Sequence, residues 1–203
     1  MRIKAGGAVA IVATGPSVAA ARLDQLEGTV ATIAVNDAWR LTPWAFALYA
    51  CDRQWWEVHG DAVAAGFSGE CWTQDAETAR ARGISHIPGD LHKPGLSADP
   101  SLIHCNAHSG AQALNLAVHW GARRIILVGF DMAADGRREH YFGPHPRPLR
   151  NSSPYQVFLK KYPAIAKDLQ AIGAEVWNAS PRSALTLFPR VTLEEAVCRA
   201  LSS

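Results

Sequence analysis

Four short apolar runs, separated by polar turns, are the clearest pattern in the sequence. Residues 8–13, 30–35, 45–50 and 124–129 consist mainly of Ala, Val, Ile, Leu and aromatic residues. Continuous apolar runs of this length are typical of strands that are covered on both faces of a parallel sheet. Glycine, asparagine or aspartate follows each run within two residues, so we expect a turn at each of these strand ends.

Helical spacing of apolar residues separates these runs. Helices are predicted at 17–25, 54–65, 75–82, 110–120, 154–172 and 192–201, with Ser17 and Ser109 as N-caps of the first and fourth. Shorter strands are predicted at 70–73 and 175–177, and loops at 87–99 and 133–153. This alternation predicts an α/β fold, a Rossmann-like three-layer sandwich with a mostly parallel central sheet. We expect a single domain over residues 1–203, with residues 133–153 as a short lid loop.

Composition agrees with a globular protein that can bury a core. Apolar residues make up 48% of the chain and charged residues 19%, which excludes disorder. No apolar run approaches the ~20 residues of a membrane span, and the N-terminal apolar stretch ends in a Gly-Pro-Ser turn, as a strand would. The four cysteines are scattered without a CxxC pair, so we expect reduced thiols and a cytoplasmic protein. A homo-oligomer is compatible with this composition.

Charge is concentrated in and just after the predicted lid loop. The formal net charge of the chain is +2, yet the segment from Arg137 to Lys161 carries six Lys or Arg and one acid. His140 and His145 lie within it, which suits phosphate stabilisation and acid–base catalysis near neutral pH. The other interpretation is a solvated surface loop. A non-catalytic, nucleic-acid-binding protein would use the same charges, and its binding would weaken when Arg147, Arg150, Lys160 and Lys161 are neutralised.

Small and polar residues collect where the predicted strands end. In open parallel sheets, ligands bind beyond the carboxyl ends of the strands. Glycine-containing turns that open helices also expose backbone N–H groups to anions. The turn after the first strand is neither a Walker loop nor GxGxxG, so a nucleoside mono- or diphosphate fits better than a dinucleotide. The alternative is that these residues only make turns and caps. The candidate ligand-binding residues are Thr14, Gly15, Pro16, Ser17, Asn36, Asp52, Ser109, Gly110, Asp131, Ser180 and Ser183.

The order of these motifs resembles a known superfamily core. The motifs are residues 13–17 after the first strand, Asn36 after the second, residues 108–110 at a helix start and residues 123–131. Together they resemble the bacterial sialyltransferases of glycosyltransferase family 42 and the MptE-like family, which is similar to 6-hydroxymethylpterin diphosphokinase. The chain resembles short phage- and prophage-encoded proteins with this core even more closely, through residues 52–56 and 178–185. The resemblance covers most of residues 8–190.

The resemblance implies roles for individual residues. The family's nucleotide-contacting Gly-Asn-Gly-Pro-Ser loop matches residues 13–17, with Thr14 in place of asparagine, and its Thr-Ser-Gly matches residues 108–110. Its second-strand asparagine matches Asn36, and its Pro-x-Ser-Leu-Leu segment matches residues 181–185. The stretch that holds its catalytic base, Ser-His-Tyr-Ile-Gly-His, resembles residues 139–145, which implies His140 as general base.

One departure from the family lies between Asp131 and His140. The family's lid there is much longer and carries phosphate-binding tyrosines, whereas eight residues without a tyrosine separate these two positions here. Arg137, Arg138 or Tyr141 would have to bind the phosphate instead. The departure argues against a sialic-acid donor and leaves the nucleotide-binding core intact.

These observations favour a glycosyltransferase that uses a nucleotide-sugar donor. His140 would deprotonate an acceptor hydroxyl, and Arg137 or Arg138 would offset charge on the departing phosphate, with no required cofactor. The MptE-like alternative is Mg²⁺-dependent pyrophosphoryl transfer, with the metal on Asp37, Asp52 and Asp131. A metal site made of Asp131, His140 and His145 lacks the usual ligand spacing, and we expect none.

Overall fold

The computed structural model describes residues 3–4, 6–149 and 153–202, and strands and helices alternate along them. The central sheet contains β1 (Ala8–Val12), β2 (Ala31–Val35), β3 (Ala47–Tyr49), β4 (Glu70–Thr73), β5 (Ser85–His86), β8 (Arg124–Val128) and β9 (Glu175–Asn178). A two-stranded sheet pairs β6 (Gly89–Asp90) with β7 (Ile103–His104). The helices are α1 (Arg53–Gly66), α2 (Ala76–Arg82), α3 (Ser109–His119), α4 (Tyr155–Leu159), α5 (Tyr162–Ala171) and α6 (Leu193–Leu201).

The strand order creates a crevice between β1 and β8. Across the sheet the order is β5-β4-β3-β2-β1-β8-β9, and every neighbouring pair is parallel. The chain builds outward from β1 to β5 and then returns to the other side of β1 with β8. Ligands of open α/β sheets bind where the order reverses in this way. Val12 and Val128 are partners in register, so the two strands end side by side at this point.

Helices cover both faces of the sheet. On one face, Leu114 of α3 and Ile165 of α5 belong to the same hydrophobic core as Val9 and Ile11 of β1. Because side chains alternate along a strand, Ala10 and Val12 belong to the core on the opposite face, with α1 and α6. The predicted α/β, Rossmann-like three-layer sandwich with a mostly parallel sheet is therefore confirmed.

The helix predicted at 17–25 is wrong. The segment forms two short 3₁₀ helices, Pro16–Ala20 and Leu23–Gln25, and Ala21 between them is extended. Ser17 is not an N-cap either, because Gly15 occupies that position and the Ser17 hydroxyl donates to Asp131. A side chain that bonds to a neighbouring strand end is not available to satisfy the helix backbone.

The single helix predicted at 154–172 is divided into α4 and α5. Pro163 has no N–H to donate and its ring would clash with the carbonyl of Leu159 in a continuous helix. The structure ends α4 at Leu159 and begins α5 at Tyr162, with the proline in its first turn. The predicted loop at 87–99 contains β6, which is too short to show any periodicity.

Irregular backbone connects β8 to α4. Turns and an isolated bridge between Asp135 and Arg138 are the features found there, through the described part of the predicted lid. Arg150 lies outside the described residues. In the described part of the chain, no helix is both long and apolar enough to cross a bilayer.

Candidate functional site

The turn after β1 is bonded directly to the end of β8. The Gly15 N–H donates to the Gly129 carbonyl at 3.0 Å, and the Ser17 hydroxyl donates to Asp131 Oδ2 at 2.9 Å. A Cβ atom on Gly15 would overlap both the Asp131 carboxylate and the Gly129 carbonyl, so only glycine fits. Burial raises the pKa of Asp131, and the hydrogen bonds from Ser17 oppose that shift. The adjacent ends of β1 and β8 thus form one rigid wall.

The loop after β8 folds back over this wall. His140 Nδ1 lies 3.0 Å from the Thr14 hydroxyl, and the Tyr141 N–H donates to the Thr14 carbonyl at 2.9 Å. The Tyr141 hydroxyl reaches across to donate to the Asp37 carbonyl at 2.9 Å. These bonds fix His140 above the strand ends. Burial, and then the nearby His145, lower the pKa of His140 to about 4, which keeps the imidazole neutral at neutral pH.

A buried network surrounds the Asp37 carboxylate. Trp55 Nε1 donates to Asp37 Oδ2 at 2.8 Å and Arg40 Nε to Oδ1 at 3.4 Å, while His59 Nε2 lies 3.6 Å from Oδ1. His59 Nδ1 faces Arg40 Nη2 at 3.4 Å. Because a guanidinium only donates, Nδ1 accepts and Nε2 carries the proton that faces Asp37. The negative charge of the Asp37 carboxylate is therefore already paired with the positive charge of Arg40.

The same network includes the candidate metal ligands that lie closest together. Among the described residues, Asp37, His59 and His145 are the one group of three potential ligands within 4.8 Å of one another. This group fits a divalent ion poorly for two reasons. The His59 nitrogen that faces Asp37 carries a proton and so has no lone pair for a metal, and the nearby Arg40 cation would repel the ion. Neither Asp131 with His140 and His145, nor Asp37 with Asp52 and Asp131, forms such a group in the described part of the chain.

The N-terminus of α3 forms another wall. His108, not Ser109, is the N-cap, and its Nδ1 accepts from the Ala111 N–H. The Ser109 hydroxyl is directed elsewhere, toward Cys51 Sγ at 3.0 Å. Within the described residues, the backbone N–H groups of Ser109 and Gly110 have no hydrogen-bond acceptor. Free N–H groups at a helix N-terminus are suited to binding an anion.

These walls enclose a cleft of 510 Å³, within the range of small-molecule sites. Eight of the residues predicted from sequence line it: Thr14, Gly15, Asn36, Asp52, Ser109, Gly110, Asp131 and His140. Residues from the ends of β1, β2, β3 and β8 thus meet in one place, together with the lid histidine.

Six predicted site residues do not line the cleft. They are Pro16, Ser17, Ser180, Ser183, Arg137 and Arg138.

The two serines in the loop after β9 have a structural contact instead. Ser180 Oγ accepts from the Phe130 N–H at 2.9 Å, and the Ser183 hydroxyl donates to the Phe130 carbonyl at 2.5 Å. Both side chains are buried, and together they hold the backbone between β8 and Asp131. The sequence predicts a ligand contact for both serines, whereas in the structure both hydroxyls bond to the Phe130 backbone.

The two lid arginines are directed to solvent. Arg137 and Arg138 are exposed, and Arg138 Nη2 pairs with Asp135 at 3.1 Å within its own turn. The structure therefore does not support a role for them at a phosphate within the cleft.

Several residues that line the cleft have strained backbone, and the sequence predicts only Asn36 among them as a site residue. In the described part of the chain, the non-glycine residues with positive φ are Asn36, Asn106, Ala107 and Met132, and all four line the cleft. Such conformations cost energy and cluster at functional sites. The Oδ1 atoms of Asn36 and Asn106 are also buried without a hydrogen-bond partner, which is uncommon for buried polar atoms.

Comparison with known proteins finds solved structures of similar fold. No protein-family model and no curated protein sequence matches the chain. The fold does match solved structures of the sialyltransferase CstII from Campylobacter jejuni. The complex with the substrate analogue CMP-3FNeuAc has a TM-score of 0.54 at 12% identity, over 95% of this chain and 86% of CstII. The complex with cytidine-5'-monophosphate has a TM-score of 0.58 at 12% identity, over 93% and 86%. At this identity the likeness shows a shared fold.

Proposed function

We propose that the protein is a glycosyltransferase whose donor is a nucleotide-activated sugar and whose general base is His140. The observation that carries the proposal is the contact between His140 Nδ1 and the Thr14 hydroxyl. It holds a neutral imidazole on the wall of the cleft, at the crevice where nucleotides bind to open α/β sheets.

The cleft offers groups suited to a nucleoside phosphate. Asn36 lines the cleft, and an amide side chain there is suited to bond a ribose hydroxyl or an exocyclic amine. The free N–H groups at the start of α3 can donate to a phosphate. The CstII structures with the same fold contain CMP or a CMP-sugar analogue, which makes CMP-sugars the first donors to test.

The reaction follows from the tautomer of His140. When Nδ1 carries the proton and donates to Thr14 Oγ1, Nε2 keeps a lone pair for an acceptor hydroxyl. Nε2 takes the hydroxyl proton as the acceptor oxygen bonds to the anomeric carbon. The bond from that carbon to the donor phosphate breaks, and its electron pair leaves with the nucleotide. The lowered pKa keeps His140 in its basic form down to about pH 5.

Hydrolysis of the donor tests this function without knowledge of the acceptor, because water can take the acceptor's place. We expect slow release of nucleotide from one member of a panel of CMP-, UDP- and GDP-sugars. His140→Ala should lower that rate by about 10²-fold or more, the range for loss of a general base. His92→Ala, which removes an exposed histidine, is the matched control.

Two results would contradict the proposal. One is the absence of turnover with every donor, and the other is an equal rate for the His140 and His92 variants. Loss of nucleotide binding in His140→Ala, measured by calorimetry, would show a binding role instead.

A further inference from the structure

Within the described residues, the cleft contains one cation without an acidic partner. Among the described residues, Lys93 and Lys161 are the lysines or arginines that line it. Lys93 is largely exposed and lies 3.9 Å from Asp90. Lys161 is half-buried, and no described carboxylate lies within ion-pair distance of it.

The lack of a partner is notable because three acids line the same cleft. Asp131 accepts from Ser17, and Glu139 Oε2 accepts from the Ser153 N–H at 2.6 Å. Asp52 is the third, and it too lies beyond ion-pair distance of Lys161. These acids leave the charge of Lys161 available to an anion from outside the protein.

The stability of α5 does not explain the positive charge of Lys161 either. Lys161 occupies the N-cap position of the ten-residue helix α5, where the positive end of the helix dipole disfavours a cation. Lysine is also not a preferred N-cap residue, and its side chain makes no capping bond there. A neutral residue would serve the helix at least as well.

Aromatic packing holds this segment beside the N-terminus of α3. The His108 ring lies 4.6 Å from that of Phe158 and 5.6 Å from that of Tyr162, between which Lys161 falls in sequence. Burial lowers the pKa of His108 to about 3, so this imidazole is neutral and adds no competing positive charge. Lys161 and the free N–H groups of Ser109 and Gly110 line the same cleft.

We propose that Lys161 binds the phosphate of the nucleotide, in the role that the sequence assigned to Arg137 and Arg138. The proposal rests on the proposed function, since it requires a nucleotide in the cleft. An ammonium group with three donors can pair with a phosphate oxygen while the α3 amides donate to others.

The test compares CMP with cytidine, which lacks the phosphate. Calorimetry would measure both ligands with wild type, Lys161→Met and Lys160→Met. Lys160 is the adjacent, exposed lysine, so its variant loses the same charge from the chain. We expect Lys161→Met to weaken CMP binding about tenfold or more, as for loss of a charged hydrogen bond, and to leave cytidine binding unchanged. Lys160→Met should match wild type with both ligands.

Each other outcome overturns the proposal. Equal CMP affinity in the two variants would show that Lys161 does not contact the phosphate. That result would leave the proposed nucleotide site itself unchanged. Equal weakening of CMP and cytidine would make Lys161 a nucleoside contact or a structural residue. Failure of wild type to bind CMP or any other nucleoside monophosphate would refute the proposed function as well. Thermal unfolding of both variants checks that each is folded.

Discussion

Ser180→Ala separates a structural role from a ligand contact. Ser180 is fully buried, and its Oγ is the acceptor for the Phe130 N–H at 2.9 Å. Alanine would remove the acceptor and leave the N–H of Phe130 unpaired, and Phe130 as a residue is only 1% exposed. Leaving such a donor unsatisfied costs about 1–3 kcal/mol. For a chain of this length, 2 kcal/mol corresponds to about 4–8 °C in the unfolding midpoint.

Urea denaturation and nucleotide calorimetry on the same samples measure both effects. We expect Ser180→Ala to unfold at lower urea than wild type and to bind nucleotide with unchanged affinity. Ser68→Ala, at an exposed position, is the control and should change stability by less than about 0.5 kcal/mol. Wild-type stability combined with weakened nucleotide binding would refute the reasoning and make Ser180 a ligand contact.

Two further variants test the walls of the cleft. Gly15→Ala should lower the free energy of unfolding by about 1–3 kcal/mol, because its Cβ would overlap the Gly129 carbonyl. Gly66→Ala, where a Cβ would make ordinary contact with Trp39, should be tolerated, and equal stability of the two in urea would contradict the close approach. His108→Asn tests burial of a neutral imidazole. The unfolded chain gains a proton below pH 6.5 and the folded chain does not until about pH 3, so wild-type stability falls with pH across that window. Between pH 7 and pH 5 we expect wild type to lose about 2 kcal/mol more than His108→Asn, and parallel pH dependence in urea denaturation would show that His108 is not held neutral.

The strands that form the crevice were predictable because they are buried on both faces. β1, β2 and β8 each appear in the sequence as an apolar run that ends in a polar turn, and the structure shortens each of them by one residue. The neighbours of each strand were not predictable in the same way. The contact between Ser17 and Asp131 depends on β8 lying beside β1, and nothing local to either residue encodes it.

Other features of the fold either had a sequence signal that was obscured by helical spacing around it or had no sequence signal. Pro163 is enough to divide α4 from α5, yet the helical spacing on either side of it suggests one continuous helix. The positive φ of Ala107 has no sequence signal, since alanine rarely adopts it and the surrounding packing imposes it. The sequence places Lys161 in a basic run that suits either phosphate stabilisation or a solvated surface, and only the fold shows that it lines the cleft.

Thermal unfolding with CMP, UMP, GMP and AMP tests most directly whether the strand ends form a nucleoside-phosphate site. A ligand at one hundred times its dissociation constant stabilises the folded state by about 2.7 kcal/mol, or about 5–11 °C for a chain of this size. We expect at least one nucleotide to produce a saturable shift of that size with one-to-one binding. No shift with any of the four at millimolar concentration would contradict the nucleotide site on which the proposed glycosyltransferase depends.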